Sequence, residues 1–386
     1  MRNILIFTLS FLFTISGNGQ NSVDTNALNN LINQADISHT DALLIYVDNK
    51  IVYQNYSNSF PTVLNIYSIK KSIISLAIGK LITDKKLSTI DKPIFEIYPE
   101  WNQGRKKDIT IRHLLNHTSG IQNYPLTGKE IDNCPDIVKL ALAAELSNTP
   151  DSHFSYNNKA INLLAGVIYE LSGQKMDKYI EENIFKFLGI NEFEWIYDLS
   201  GNPYQLKMLP QDLLKIGILV LNRGKYNDKQ IIISDWFNES LNPSQEYNPA
   251  YGLLWWLIPG KVTFIVDDKQ INKLKEAKVN TDFIEKAKNV KGKYEMQKDY
   301  YAKLESIFGS DWQQVLDDNL LSLNMSLSKK EYEYIGVNAN GWLGQYLVIY
   351  PEKKLIGVRM IKRNKEYNDN TDSFSNFQEM LYKILE

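Results

Sequence analysis

Apolar residues at Ile73, Ile74, Ala77 and Ile78 recur at three- and four-residue intervals. That spacing predicts a helix with one buried stripe, entered from Asn65-Ile66-Tyr67-Ser68-Ile69-Lys70-Lys71. Upstream, 42–47 and 51–56 read as two strands about the polar turn Asp48-Asn49-Lys50, a β-hairpin. Ile90-Asp91-Lys92-Pro93 breaks the pattern, and 108–120 reads as a helix with a polar start and a glycine stop. Residues 136–188 are mostly helical in pattern, and 213–221 predicts another amphipathic helix. Tyr251-Gly252-Leu253-Leu254-Trp255-Trp256-Leu257 reads as a buried strand. Residues 346–350 and 354–361 make a second hairpin, and 372–385 a closing helix. Strands at both ends with helices between predict an α/β (α+β) fold, an antiparallel sheet with an all-helical lobe (about 85–200) inserted into it.

The stretch 261–330 changes character. It is rich in Lys, Asp and Tyr, with helical patches at 283–287 and 301–304, and predicts a helical insertion joining two strands near the site, acting either as a lid or specificity wall or as peripheral decoration. At the other end, Arg2 precedes an apolar run, 4–13, and Gly17-Asn18-Gly19 offers small residues for cleavage. Residues 1–19 therefore read as a signal peptide and 20–386 as one exported domain, periplasmic or secreted. The run is short for a membrane span, so none is expected after cleavage.

Composition narrows the partners. With 43 basic and 45 acidic residues the net charge is −2, which gives no chain-wide field for nucleic acid and favours a small-molecule or short-peptide substrate. Cys134 is the single cysteine, which excludes an intrachain disulfide and leaves no lipid-attachment cysteine behind the apolar run. The four histidines lack metal-ligand spacing, so no metal is expected; His117 in His-Thr-Ser-Gly reads as a turn residue rather than a base. Oligomeric state is left open.

Three short patterns carry chemistry. Ser68 stands at or just before a helix start with Lys71 three residues on, so both side chains face one way. The lysine can take the hydroxyl proton, and first-turn N–H groups can hold an oxyanion. An ordinary lysine, pKa about 10.4, is neutral only about once in 2,500 molecules at pH 7. Lowering it by roughly 3 units costs about 4 kcal/mol, so Lys71 serves as a base only if buried, while Lys70 should point elsewhere. Taken alone, Ser-x-x-Lys is also what a cap serine and a solvated lysine look like, as at Ser326 and Lys329. Tyr156 and Asn158 precede the apolar run 161–167; a phenol can relay a proton and a carboxamide can hold lysine and substrate. Ala339-Asn340-Gly341 enters a strand whose N–H groups can complete an oxyanion hole. A turn tyrosine with a cap asparagine, and a glycine hairpin, are the plainer readings of these two.

In order and spacing, these pieces resemble the serine β-lactamase and penicillin-binding-protein superfamily, most of all its class C-related branch of esterases, D-amino-acid peptidases and amide hydrolases. Ser68-Ile69-Lys70-Lys71 and Tyr156-Asn157-Asn158 match two motifs, and 111–121, 209–217 and 251–256 look like framework signatures. The resemblance implies an α/β sandwich with a helical lobe, a site between them and no cofactor. It implies that Ser68 attacks, Lys71 and Tyr156 move protons and Asn158 positions, with the N–H groups of Ser68 and of the Ala339–Gly341 strand holding the oxyanion. The expected activity is ester or amide hydrolysis through an acyl-enzyme. The alternatives are a β-lactamase or D-Ala-D-Ala peptidase, or a non-catalytic binding member of the fold. The family's third motif usually supplies Lys or His, and Ala339-Asn340-Gly341 does not. A substrate carboxylate would then need a cation from the insertion or from Arg359, and without one neutral esters and amides are favoured.

Overall fold

The computed structural model describes residues 22–123, 126–323, 325–363 and 366–385. The signal-peptide reading lies outside them. Among the described residues no helix is long and apolar enough to cross a membrane.

Among the described residues twelve strands form: β1 (Ala42–Val47), β2 (Lys50–Tyr56), β3 (Leu64–Asn65), β4 (Phe193–Tyr197), β5 (Pro203–Met208), β6 (Lys225–Tyr226), β7 (Lys229–Gln230), β8 (Trp256–Val266), β9 (Gly292–Tyr294), β10 (Lys329–Gly341), β11 (Gln345–Tyr350) and β12 (Leu355–Met360). Seven make one antiparallel sheet in the order β2-β1-β12-β11-β10-β8-β9. Every residue of β1 is buried, as expected of a strand covered on both faces. Leu43, Ile45 and Val47 face α1 (Thr25–Ile37) and the C-terminal helix Phe377–Lys383, through Leu31, Phe377 and Leu381. Leu44 and Tyr46 face the larger core, with α2 (Lys70–Thr83), the helix Pro210–Leu221 and the helical lobe. The antiparallel sheet read from the pattern is observed, and helices cover both its faces as the resemblance implies.

Burial of α2 goes beyond one stripe: Lys71 through Gly79 are all buried, so the helix is enclosed on every side. Gly79 permits this, because a Cβ there would lie 2.3 Å from the Trp236 ring. Three expectations need correction. The strand read at 251–257 begins only at Trp256. Residues 251–255 form a buried turn, with Leu254 at φ +64°, its N–H bonded to Leu115 O and its carbonyl accepting from Ser72 Oγ at 2.7 Å. The turn thus ties α2 to the lobe, and its apolar residues reflect burial rather than extension. The closing helix is broken between Asp372 and Phe377, where Phe374 takes φ +49° and turns into the core. Arg359 is fully buried and cannot reach a substrate. Its guanidinium donates to Thr40 Oγ1 and to the carbonyls of Ser38, Leu343, Gly344 and Asp372. It pins the β10–β11 turn, where Gly344 must lack a Cβ to leave room for it.

The insertion stands away from the turn that carries Ser68. β8 and β10 pair from Asn338–Trp256 out to Lys329–Ile265, and at about 3.3 Å per residue the ribbon spans about 30 Å. The helices Asp268–Glu276, Thr281–Ala287, Gln297–Phe308 and Trp312–Leu320 gather at its outer end. Phe264, Ile271, Leu274, Phe283, Tyr300 and Leu304 form a core of their own there. Of the two roles open from sequence, this placement favours peripheral decoration. Val262 and Tyr332 are directly paired across the ribbon, so an Asn-Gly turn can join them and delete the module. The shortened protein should keep its kinetics on short esters; a tenfold rise in KM, about 1.4 kcal/mol of binding, would put the module over the site instead.

Candidate active site

The nucleophile candidate sits at a strained corner. Asn65 Oδ1 accepts from the Tyr67 N–H at 2.8 Å, and Tyr67 takes φ +47°, a left-handed conformation that non-glycine residues adopt at a cost. A single 3-10 turn, Tyr67–Ile69, then runs straight into α2, which leaves Ser68 half-buried just ahead of the helix. One turn on, Lys71 is buried and its Nζ donates to Ser68 Oγ at 2.8 Å. Burial holds the Lys71 pKa well below 10.5, and the neighbouring Lys70 charge lowers it further. Lys70 turns away from Ser68, with its Nζ 6.0 Å from the Tyr204 ring. Burial of its amine lowers its own pKa to about 7.

Tyr156 completes a cluster of three. Its ring lies 4.8 Å from Lys71 Nζ, and its phenol is in hydrogen-bonding reach of Ser68. Burial raises the phenol pKa and the bond to Ser68 opposes that rise, so the group stays protonated at neutral pH. Two buried residues shape this corner. His117 Nδ1 accepts from the Asn157 N–H at 3.1 Å, and its ring packs 4.6 Å from that of Tyr156. Burial and the Lys71 charge push the His117 pKa well below 6.5, so it is a neutral support. Asn157 caps the helix Asn158–Ser172, accepting from Lys159 N and Ala160 N and donating to Ile121 O at 2.6 Å.

Asn158 is placed differently from its expected role. It is exposed and, among the described residues, makes no hydrogen bond to Lys71. The preceding Asn157 takes the cap and the interior, and one step along a helix turns the next side chain roughly 100° away. Lys71 is held by Ser68 and the Tyr156 ring.

The third segment does come to the nucleophile. A Cβ on Gly341 would lie 2.5 Å from Ile66 O, so β10 passes directly beside the turn that carries Ser68. Pairing with β8 ends at Asn338, whereas pairing with β11 continues through Ala339, Asn340 and Gly341. One edge of these three residues is therefore free of a strand partner beside Ser68. Among the described residues, the acceptors Asn338 Oδ1 and Asn340 Oδ1 are buried without partners, polar capacity that a bound substrate can satisfy.

Sequence reasoning missed the rim. Trp342, 54% exposed, meets the Tyr67 ring edge-on at 5.5 Å, and the Arg363 guanidinium lies 5.0 Å from the Trp342 ring. An indole directly after the glycine of the third segment was the available signal. Trp256 stacks beside Tyr156 at 6.1 Å.

Burying the Lys71 amine has a cost that can be measured. In the unfolded chain it binds its proton up to pH 10.5, whereas in the fold it releases it earlier. The stability it contributes at high pH is therefore lost as pH falls from 10.5 through the lowered folded pKa, at about 1.4 kcal/mol for each pH unit crossed between the two. Lys71→Met should be inactive yet more stable than wild type near pH 7, with the difference shrinking toward pH 10 in urea titrations. Equal stability at both pH values would show a solvated amine. Lys70→Met, lacking the charge that depresses Lys71, should move the acid limb of the pH–rate profile upward.

Comparison with known proteins places this geometry in a family. The beta-lactamase family model matches residues 28–376. Esterase EstB of Burkholderia gladioli is 26% identical over 151 residues, 34% of this chain and 38% of that protein. Beta-lactamase-like protein 2 of Dictyostelium discoideum is 24% identical over 218 residues, 51% of this chain and 38% of that protein. The chain thus spans well under two thirds of these relatives. The solved penicillin binding protein from Bacillus halodurans superposes with a TM-score of 0.55 at 16% identity, over 87% of this chain and 95% of that one, a likeness of fold. With the family model covering nearly the whole described chain, the protein belongs to the beta-lactamase family.

Proposed function

We propose that the chain is an exported serine hydrolase that cleaves an ester or amide through an acyl-enzyme. One observation carries the reading: a buried lysine, its pKa held down, donates to the hydroxyl of a serine at a helix entrance. Neutral Lys71 takes the Ser68 proton as Oγ attacks the carbonyl carbon. The Ser68 N–H and the open edge of Ala339–Gly341 hold the oxyanion. The protonated Lys71, through the Tyr156 phenol, then returns the proton to the leaving alcohol or amine as the C–O or C–N bond breaks. Water, deprotonated by the same pair, releases the acid and restores Ser68. Asn158, exposed at the first turn of its helix, is free to meet substrate. Export rests on the pattern of residues 1–19.

A fluorophosphonate should label wild type stoichiometrically at Ser68, and Ser68→Ala should lose both label and turnover while remaining folded. Residual turnover above about one part in a thousand would mean another nucleophile. Substrate choice follows from the third segment, where Asn340 offers a neutral amide. A charge-assisted hydrogen bond is about twice as strong as a neutral one, so its absence should cost a β-lactam carboxylate about 1–2 kcal/mol, about ten- to thirty-fold. Relative to their uncatalysed rates, p-nitrophenyl acetate and butyrate should be accelerated more than nitrocefin. The opposite order would restore the β-lactamase reading.

A further inference from the structure

Of the three side chains gathered at Ser68, the Tyr156 phenol is the one that no helix or strand carries. Ser68 and Lys71 ride on the 3-10 turn and the start of α2. Residues 153–157 belong to no regular element, and the helix after them begins only at Asn158. A group that relays a proton has to be held within about 0.5 Å of its working place. The hydrogen bonds made by this irregular segment therefore decide where the phenol stands. Two residues supply them. The His117 carbonyl accepts from the Ser155 N–H at 2.9 Å, and His117 Nδ1 accepts from the Asn157 N–H at 3.1 Å. The neighbours of Tyr156 on both sides are thus tied to one histidine. Asn123 Nδ2 donates to Tyr156 O at 2.8 Å and to Ser155 Oγ at 3.3 Å. Side chains therefore hold both ends of the peptide that links Tyr156 to Asn157.

His117 occupies its place at a cost. Its backbone takes φ +62°, in the left-handed region. The turn around it is fixed: Thr118 Oγ1 donates to Asn116 Oδ1 at 2.7 Å, and Thr118 O accepts from the Asp151 N–H at 2.8 Å. Because Nδ1 accepts, the ring carries its proton on Nε2. Nε2 is buried and, among the described residues, has no hydrogen-bond partner. A strained backbone and an unmade hydrogen bond at one residue mark a position kept for something other than stability.

We propose that His117 and Asn123 are positioning residues for the reaction: they clamp the backbone on either side of Tyr156 and so set its phenol for proton delivery. This rests on the serine-hydrolase reading. The histidine works as an acceptor of fixed tautomer, not as a base, and the asparagine as a donor to one carbonyl. A displaced Tyr156 leaves Ser68 and Lys71 in place, so attack survives while proton delivery to the leaving group fails. An alkyl ester, whose oxygen must gain a proton as the C–O bond breaks, feels that loss most. A p-nitrophenyl ester, which releases a stable anion, feels it least.

The test is a double-mutant cycle on kcat/KM for ethyl butyrate, followed by pH-stat, with p-nitrophenyl butyrate beside it. Tyr156→Phe should lose about a hundredfold on the ethyl ester. Asn123 is half-buried; Asn123→Leu removes its donor and should lose about tenfold on the ethyl ester and about twofold on the p-nitrophenyl ester. Added to Tyr156→Phe it should cost nothing further, because the group it positions is gone. His117→Gly tolerates the left-handed backbone but lacks the acceptor, and should behave in the same way. His117→Asn also tolerates that backbone, and its Oδ1 stands where Nδ1 does, so it should recover most of the rate. Equal losses on the two esters, or losses that add in full to that of Tyr156→Phe, assign both residues to the fold alone and overturn the proposal. NMR of the ring nitrogens in histidine-labelled protein, with the His117 signals assigned by their absence in His117→Asn, reads the clamp without turnover. A neutral Nε2–H ring with Nδ1 as acceptor at pH 7 supports the clamp even if wild type turns over neither ester, the outcome that would sink the hydrolase reading alone. A cationic ring or an Nδ1–H tautomer removes the clamp, and turnover of both esters would then leave the hydrolase standing.

Discussion

The site depends on keeping one amine dry. Lys71 lies in a helix buried on all sides, against the Tyr156 ring and with the Ser68 hydroxyl as its hydrogen-bond partner. Water would restore its ordinary basicity and its charge. Much of the architecture maintains that condition: Gly79 lets Trp236 close over α2, the 251–255 turn seals it through Ser72, and the sheet covers it from the other side. The fold accepts an unfavourable burial at one residue, and the surrounding apolar contacts offset it. Stability and reactivity draw on the same packing.

A second constraint is where pairing stops. β10 has thirteen residues, and its neighbour β8 accompanies it only to Asn338. Had β8 continued, Ala339–Gly341 would have been sealed in a ladder with no donors to spare. The tight turn at 251–255 brings β8 into the sheet just late enough to leave that edge open. Arg359 holds the following turn from beneath, so the open edge is rigid although it lacks a partner.

Most of the frame was legible because periodicity reports burial. The first and last hairpins, the Ser68 helix and the helix Pro210–Leu221 all follow their apolar patterns. The failures have physical causes. Tyr251–Trp255 is apolar because it is enclosed, and hydropathy cannot tell an enclosed turn from a strand. Asn157 and Asn158 are the same residue type side by side, and only the helix phase decides which one caps and which one faces out. Arg359 looked available because an arginine on a strand says nothing about five acceptors drawn from distant segments. Arg363 was invisible for the converse reason: its partner Trp342 lies twenty-one positions away in sequence and meets it only once β11 and β12 have folded back.

The outlying module also affects how the whole molecule comes apart. Its apolar residues pack among themselves, and a two-stranded ribbon is the main link between that core and the sheet. Cooperativity requires shared contacts, and here few are shared. Heating or denaturant should then act on two bodies in separate steps, which a single free energy of unfolding would not describe. The module can open and refold, or be nicked by a protease, while the serine and its lysine stay in register.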